Sequence, residues 1–186
     1  MTGRRMNIPN MLTMLRLVLI PVCVGIYYIP ADWAYMTTAV LFTIAAITDW
    51  FDGYLARKWG QTTPFGAFLD PVADKLIVAA ALVVLVESHE TFWLTIPAVI
   101  IIGREIVISA LREWMAEVGK RSSVAVNMIG KIKTTVQMVS IVVLLSQAPG
   151  TTIANLGLLA LQLAAVLTLW SMIVYLRAAW GDLKPK

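Results

Sequence analysis

The sequence contains very little cysteine and histidine, with one residue of each among 186. One cysteine excludes a disulfide within the chain, and the scarcity of both residue types argues against a zinc site, which is usually built from several of them. Cys23 lies in an apolar run, so we expect a buried, unreactive thiol. Polar linkers, low-complexity tracts and repeats are also missing, which predicts a single domain over residues 1–186.

Charged residues are scarce as well, at 14%, whereas hydrophobic residues make up 59% and the mean hydropathy is +0.79. A soluble domain usually keeps its apolar share near half, so a membrane is the expected solvent for most of this chain. The formal net charge is +4, and its basic residues lie between apolar spans instead of forming a patch with interleaved aromatics. We therefore expect no nucleic-acid partner and contact with membrane lipids instead.

Long apolar runs are what the sequence does have. A helix needs about 20 residues to cross the hydrocarbon core. Six stretches reach that length, at roughly 12–29, 35–57, 65–88, 92–115, 124–147 and 153–178. The pattern predicts an all-α polytopic membrane protein with six transmembrane helices. The first run is too long for the apolar part of a cleaved signal peptide, so we expect it to remain in the protein.

The distribution of lysine and arginine predicts the orientation. Six crossings place both termini on one side of the membrane. The loops expected on the opposite side contain no Lys or Arg, whereas all the basic residues lie near the other helix ends. Since positive residues favour the cytoplasmic side, we expect both termini in the cytoplasm.

Two pairs of aspartates share the cytoplasmic ends of the second and third spans. Asp49 and Asp52 are three residues apart, and Asp70 and Asp74 are four apart, so each pair lies on one helix face. A short connection would bring the four carboxylates together in a cytoplasm-facing polar site. Like charges repel in such a site unless cations neutralise them, and oxygen ligands suit Mg²⁺ or Mn²⁺. Although a lone Asp is usually a helix cap, four at this spacing predict a metal site, with enough ligands for two ions.

Small and basic residues accompany the aspartates. Gly53 and Gly66 lack a Cβ, which permits close approach either of a substrate or of a neighbouring helix. Arg57 follows Asp52 by about one helical turn, where it can bind a phosphate oxygen or set the membrane topology.

A second polar group interrupts the fourth and fifth spans. Arg104 and Glu105 lie within an apolar run, and Arg112 falls nearly on the face of Glu105. Lys131 and Lys133 cannot both face one direction on a helix, and the pattern slightly favours Lys131 as the inward residue. Charge flanking the membrane is the alternative interpretation. We predict that a phosphorylated acceptor binds to a pocket formed by Arg104, Glu105, Arg112, Lys131, Lys133 and Arg177.

The chain resembles the CDP-alcohol phosphotransferase family. It matches the family's signature in every fixed position and spacing, here Asp49-x2-Asp52-Gly53-x2-Ala56-Arg57-x8-Gly66-x3-Asp70-x3-Asp74. A closer resemblance, to bacterial members that use glycerol 3-phosphate, rests on stretches such as Asn7-Ile8-Pro9-Asn10-x2-Thr13-x2-Arg16 and Gly130-Lys131-x-Lys133-Thr134.

The resemblance implies an enzyme of the bacterial cytoplasmic (inner) membrane, a homodimer, that moves a phosphatidyl group from CDP-diacylglycerol to glycerol 3-phosphate. It implies that the four aspartates bind Mg²⁺ or Mn²⁺ and that Asp74 is also the catalytic base. It further implies that CDP-diacylglycerol contacts Gly53, Ala56, Arg57 and Gly66, with Asn10 and Thr13 nearby.

Two alternatives remain at this point. An ion-coupled transporter would also bury carboxylates, but the sequence has neither the repeated halves nor the interrupted midplane helices of that class. The other alternative keeps the chemistry and changes the acceptor to inositol phosphate, serine, choline or another phosphatidyl lipid. Arg112, Lys131 and Lys133 favour a phosphorylated acceptor, but charge alone does not separate glycerol phosphate from inositol phosphate.

Overall fold

The computed structural model describes residues 8–59, 64–117 and 128–183. Side chains are described for residues 10–48, 65–66, 68–117 and 132–177. The described backbone is helical, without a β-strand in those ranges. The helices are α1 Ile8–Tyr27, α2 Asp32–Trp59, α3 Pro64–His89, α4 Phe92–Glu117, α5 Met128–Leu145 and α6 Thr152–Leu183.

The helices confirm the prediction of an all-α membrane protein. Three segments are long and apolar enough to cross a bilayer, namely Asn10–Tyr27, Phe92–Glu117 and Thr152–Arg177. Asp32–Thr48 and Ile132–Leu145 are shorter apolar helical segments. Large apolar side chains also point outward, with Val83 and Leu156 each 61% exposed, and lipid is the environment that solvates such a surface.

Residues in turn conformations lie where the helices end. Gly150, between α5 and α6, has a φ of 84°, a left-handed conformation that glycine adopts without a Cβ clash. Glu90 has a φ of 45° just after α3, and its backbone N–H donates to the Val86 carbonyl at 3.2 Å, which caps the helix. Each of the six predicted segments corresponds to a helix in the described residues, and three of these helices meet the length and hydropathy of a membrane span. Helix α1 begins four residues before the predicted start and α6 ends five residues beyond the predicted end.

The first compact unit comprises Met1–Leu85 with Leu145–Ala148. In it α1 packs against α2, and the rings of Tyr27 and Tyr35 meet edge to face with centroids 5.4 Å apart. Cys23 is buried, as expected.

The second compact unit comprises Val86–Leu144 with Pro149–Lys186. In it α4 packs against α6. Gly157 of α6 faces α5 so closely that a Cβ there would lie 3.0 Å from Cγ1 of Val143. Small residues at such contacts let membrane helices approach each other. With two compact units in the described structure, the single domain stays a prediction.

Candidate functional site

Two of the four aspartates predicted to form the acidic site lie on α3 and have described side chains. Asp70 is partly buried and Asp74, one turn further along the helix, is exposed. Asp49 and Asp52 lie on α2, but their side chains are outside the described part of the structure. Among the side chains that are described, no three His, Cys, Asp or Glu residues converge to hold a metal. The convergence of all four aspartates therefore stays a prediction.

Helix α1 contacts the predicted acidic site through Thr13. Thr13 is completely buried, and its hydroxyl donates a hydrogen bond of 2.6 Å to Oδ1 of Asp70. The distance is within the usual range of a hydrogen bond between a hydroxyl and a carboxylate oxygen. Arg16, one turn after Thr13, is also completely buried. The sequence predicted Thr13 near the CDP-lipid, which stays a prediction, and the structure adds a direct hydrogen bond to a predicted metal ligand.

The other predicted CDP-lipid residues are described to different extents. Gly66 is buried on α3, one turn before Asp70, and Asn10 is partly buried on α1, one turn before Thr13. These positions place both residues beside the Thr13–Asp70 contact. Gly53, Ala56 and Arg57 belong to helix α2, and their side chains lie outside the described part of the structure.

The chemistry of the described acidic side chains fits a hard divalent cation. Asp70 and Asp74 offer carboxylate oxygens at helical spacing, and Mg²⁺ and Mn²⁺ prefer such ligands. The hydrogen bond from Thr13 is of the kind that orients a metal-binding carboxylate.

A second polar group lies within the unit that contains α4, α5 and α6. Lys133 of α5 is only 2% exposed, and the charges of Arg104, Glu105 and Arg112 of α4 act on it. We call these four residues the cation cluster. Nη1 of Arg104 donates to Oε1 of Glu105 at 2.6 Å. Nζ of Lys133 is buried and has no hydrogen-bond partner among the described residues.

Helix α6 contributes an aromatic ring to one member of the cation cluster. The guanidinium carbon of Arg112 lies 5.8 Å from the ring centroid of Tyr175, within the range of a cation–π interaction. Tyr175 was not predicted from the sequence, because nothing in its spacing distinguishes it from an aromatic membrane anchor. Arg177 is exposed on α6, and no described contact links it to the cluster.

The structure also settles which way Lys133 points. The sequence slightly favoured Lys131 as the inward lysine, but Lys133 is the one seen buried beside the α4 charges. The helical phase of α5 is fixed by its packing, which the local sequence does not reveal. The side chain of Lys131 lies outside the described part of the structure.

Helices long and apolar enough to cross a bilayer, with charged side chains among them, define an integral membrane protein. The chain belongs to the CDP-alcohol phosphatidyltransferase family, whose model matches residues 6–176. The match runs through every helix of the structure and includes every predicted site residue except Arg177.

Similar proteins from several bacteria carry one name, CDP-diacylglycerol–glycerol-3-phosphate 3-phosphatidyltransferase. The protein from Salmonella choleraesuis is 59% identical over 95% of this chain and 97% of its own length. The protein from Sodalis glossinidius is 58% identical over 96% of this chain and 98% of its own length. The Yersinia enterocolitica protein is 59% identical over the same shares.

Proposed function

We propose that this protein transfers the phosphatidyl group of CDP-diacylglycerol to sn-glycerol 3-phosphate, giving phosphatidylglycerol phosphate and CMP. The reaction belongs to the synthesis of anionic phospholipids. The proposal is supported by the names of relatives that are 59% identical over nearly the full length. It is also supported by the family's complete signature in this chain.

The observation that carries the choice of acceptor is the buried ammonium of Lys133. A cation 2% exposed and without a described hydrogen-bond partner is costly unless an anion joins it. Arg104 and Arg112 add positive charge to the same cluster, and Glu105 offsets one of these charges. A phosphomonoester would supply the missing anion with nearly two negative charges, whereas choline has no anionic group and the single carboxylate of serine is accompanied by serine's own ammonium group. Lys131 and Arg177 are proposed to extend the phosphate site.

The proposed reaction is an in-line displacement at the lipid-side phosphorus. The C1 hydroxyl oxygen of glycerol 3-phosphate forms the new P–O bond, and the bond from that phosphorus to the bridging oxygen of the diphosphate breaks. CMP leaves with the bonding electrons. Asp74, which is exposed in the N-terminal half of α3, accepts the proton of the attacking hydroxyl.

Asp49, Asp52, Asp70 and Asp74 are proposed to hold two Mg²⁺ or Mn²⁺ ions, in keeping with the oxygen donors of the described pair. When bound, these ions would polarise the diphosphate and offset the charge on the departing oxygen. Gly66 is buried one turn from Asp70, where its missing Cβ lets the diphosphate approach the helix. Gly53, Ala56, Arg57 and Asn10 are proposed to complete the CDP-lipid site.

The proposed location is the bacterial cytoplasmic membrane, with both termini in the cytoplasm. The support is the one-sided distribution of lysine and arginine. A homodimer is proposed from the resemblance to the family.

The test supplies purified protein with CDP-diacylglycerol, Mg²⁺ and one labelled acceptor at a time. We expect glycerol 3-phosphate to yield CMP and a labelled phosphomonoester lipid, and serine to yield neither. Preferential use of inositol phosphate would replace the proposed acceptor while preserving the reaction class. Absence of CMP release with every acceptor, in protein that still binds CDP-diacylglycerol, would contradict the transferase itself. Omitting the divalent cation tests the proposed metal dependence.

A further inference from the structure

We propose that Thr13 is a positioning residue for Asp70, which it holds in the orientation needed to bind a divalent cation. This inference rests on the metal site of the proposed function. It replaces the expectation that Thr13 belongs to the CDP-lipid pocket.

The hydroxyl of Thr13 has limited capacity as a hydrogen-bond donor. A threonine hydroxyl has one hydrogen to donate, and here that hydrogen is directed at Oδ1 of Asp70 over 2.6 Å. Thr13 is 0% exposed, so solvent does not compete for the bond. Its hydroxyl therefore has no second hydrogen with which to bind a nucleotide phosphate.

The side chain of Thr13 is also conformationally restricted. Thr13 is β-branched and sits within α1, where few side-chain rotamers are available. The terminal torsion of an aspartate, by contrast, has a broad energy profile. A fixed donor on α1 therefore limits the rotation of the Asp70 carboxylate on α3. Partners that orient a ligating carboxylate in this way commonly affect metal affinity by about 10–100-fold.

The contact also links distant parts of the chain. Thr13 and Asp70 are 57 residues apart in sequence. The bond consequently fixes the position of α1 relative to the acidic end of α3. A purely structural tie would make the same link, so the test has to separate stability from metal binding.

The experiment compares Thr13→Val with Thr13→Ser in the purified full-length protein. Valine keeps the branched shape and removes the hydroxyl, whereas serine keeps the hydroxyl. Mn²⁺ binding is measured directly by electron paramagnetic resonance of the free ion, without substrate. We expect Thr13→Val to weaken Mn²⁺ binding by about 10–100-fold and Thr13→Ser to remain within about threefold of the natural protein.

Matched controls separate this effect from a loss of packing. Thr38→Val alters another threonine of the same unit that is nearly fully buried, at 2% exposure, and we expect Mn²⁺ binding to be unchanged. Asp70→Asn should lose Mn²⁺ binding. If Thr13→Val is not recovered folded, Thr13→Cys takes its place, because a thiol is a weak donor of similar size.

Three results would overturn the inference. Natural Mn²⁺ affinity in Thr13→Val, together with weakened CDP-diacylglycerol binding, would return Thr13 to the CDP-lipid pocket. Equal losses of Mn²⁺ affinity in Thr13→Ser and Thr13→Val would indicate that Thr13 acts through packing and not through its hydroxyl. The third result is that the natural protein binds no Mn²⁺. Both the proposed metal site and this inference would then be wrong, whereas the first two results would leave the metal site intact.

Discussion

The guanidinium of Arg112 lies over the ring of Tyr175, 5.8 Å from its centroid, and the pair joins α4 to α6. Through this contact, α6 can influence the cation cluster. The ring limits where the guanidinium rests before an acceptor arrives.

Replacing Tyr175 should therefore change acceptor affinity. Cation–π contacts at exposed sites contribute about 0.5–1 kcal/mol, so Tyr175→Leu should raise the KM for glycerol 3-phosphate by about 2–5-fold. The KM for CDP-diacylglycerol should remain unchanged. Tyr175→Phe is the control, because it retains the ring. Equal effects of Phe and Leu would assign the role to the phenol hydroxyl instead.

Lys133→Met should weaken acceptor binding without lowering the stability of the protein. Losing a charged contact to phosphate costs about 1.5–3 kcal/mol, which predicts a rise of about 10–100-fold in the KM for glycerol 3-phosphate. Without acceptor, the variant should be at least as stable as the natural protein, because it removes a buried cation that has no described hydrogen-bond partner. Steady-state kinetics and thermal unfolding in detergent measure both quantities. Lower stability without an acceptor would indicate that Lys133 has a structural partner.

Asp74→Asn should abolish CMP release, because an amide cannot accept the hydroxyl proton. Asp74 is exposed, so the helix should tolerate the change. Glu90→Gln is a matched control, since it neutralises an exposed acid after the other end of α3. Turnover close to that of the natural protein in Asp74→Asn would remove Asp74 from the catalytic role.

Gly157→Leu should destabilise the packing of α6 on α5. Even the first added carbon would lie 3.0 Å from Val143 and 3.1 Å from Leu144. Overpacking of this kind costs about 1–3 kcal/mol, which should lower the midpoint of thermal unfolding. Gly25→Ala is the control, because its Cβ would meet nothing within 4 Å. Equal midpoints for the two variants would mean that α5 and α6 are not tightly apposed.

Much of the fold followed from local sequence, whereas the details of the site depended on packing. Apolar length and turn residues were enough to predict the helices, and the spacing of Asp70 and Asp74 placed them on one helix face. The bond between Thr13 and Asp70 joins residues 57 positions apart, so no local pattern contains it. The inward orientation of Lys133 likewise depends on the helical phase that packing imposes on α5.

The charge of the cation cluster has a further consequence for turnover. Three cations and one carboxylate leave two positive charges, which match the nearly doubly charged phosphomonoester of the acceptor at neutral pH. That phosphomonoester is unchanged by the proposed reaction and persists in the lipid product. At the proposed site, the cluster would therefore bind product and acceptor alike, which favours saturation without speeding the displacement itself. We expect product inhibition, with the newly made lipid competing against glycerol 3-phosphate until it diffuses into the bilayer.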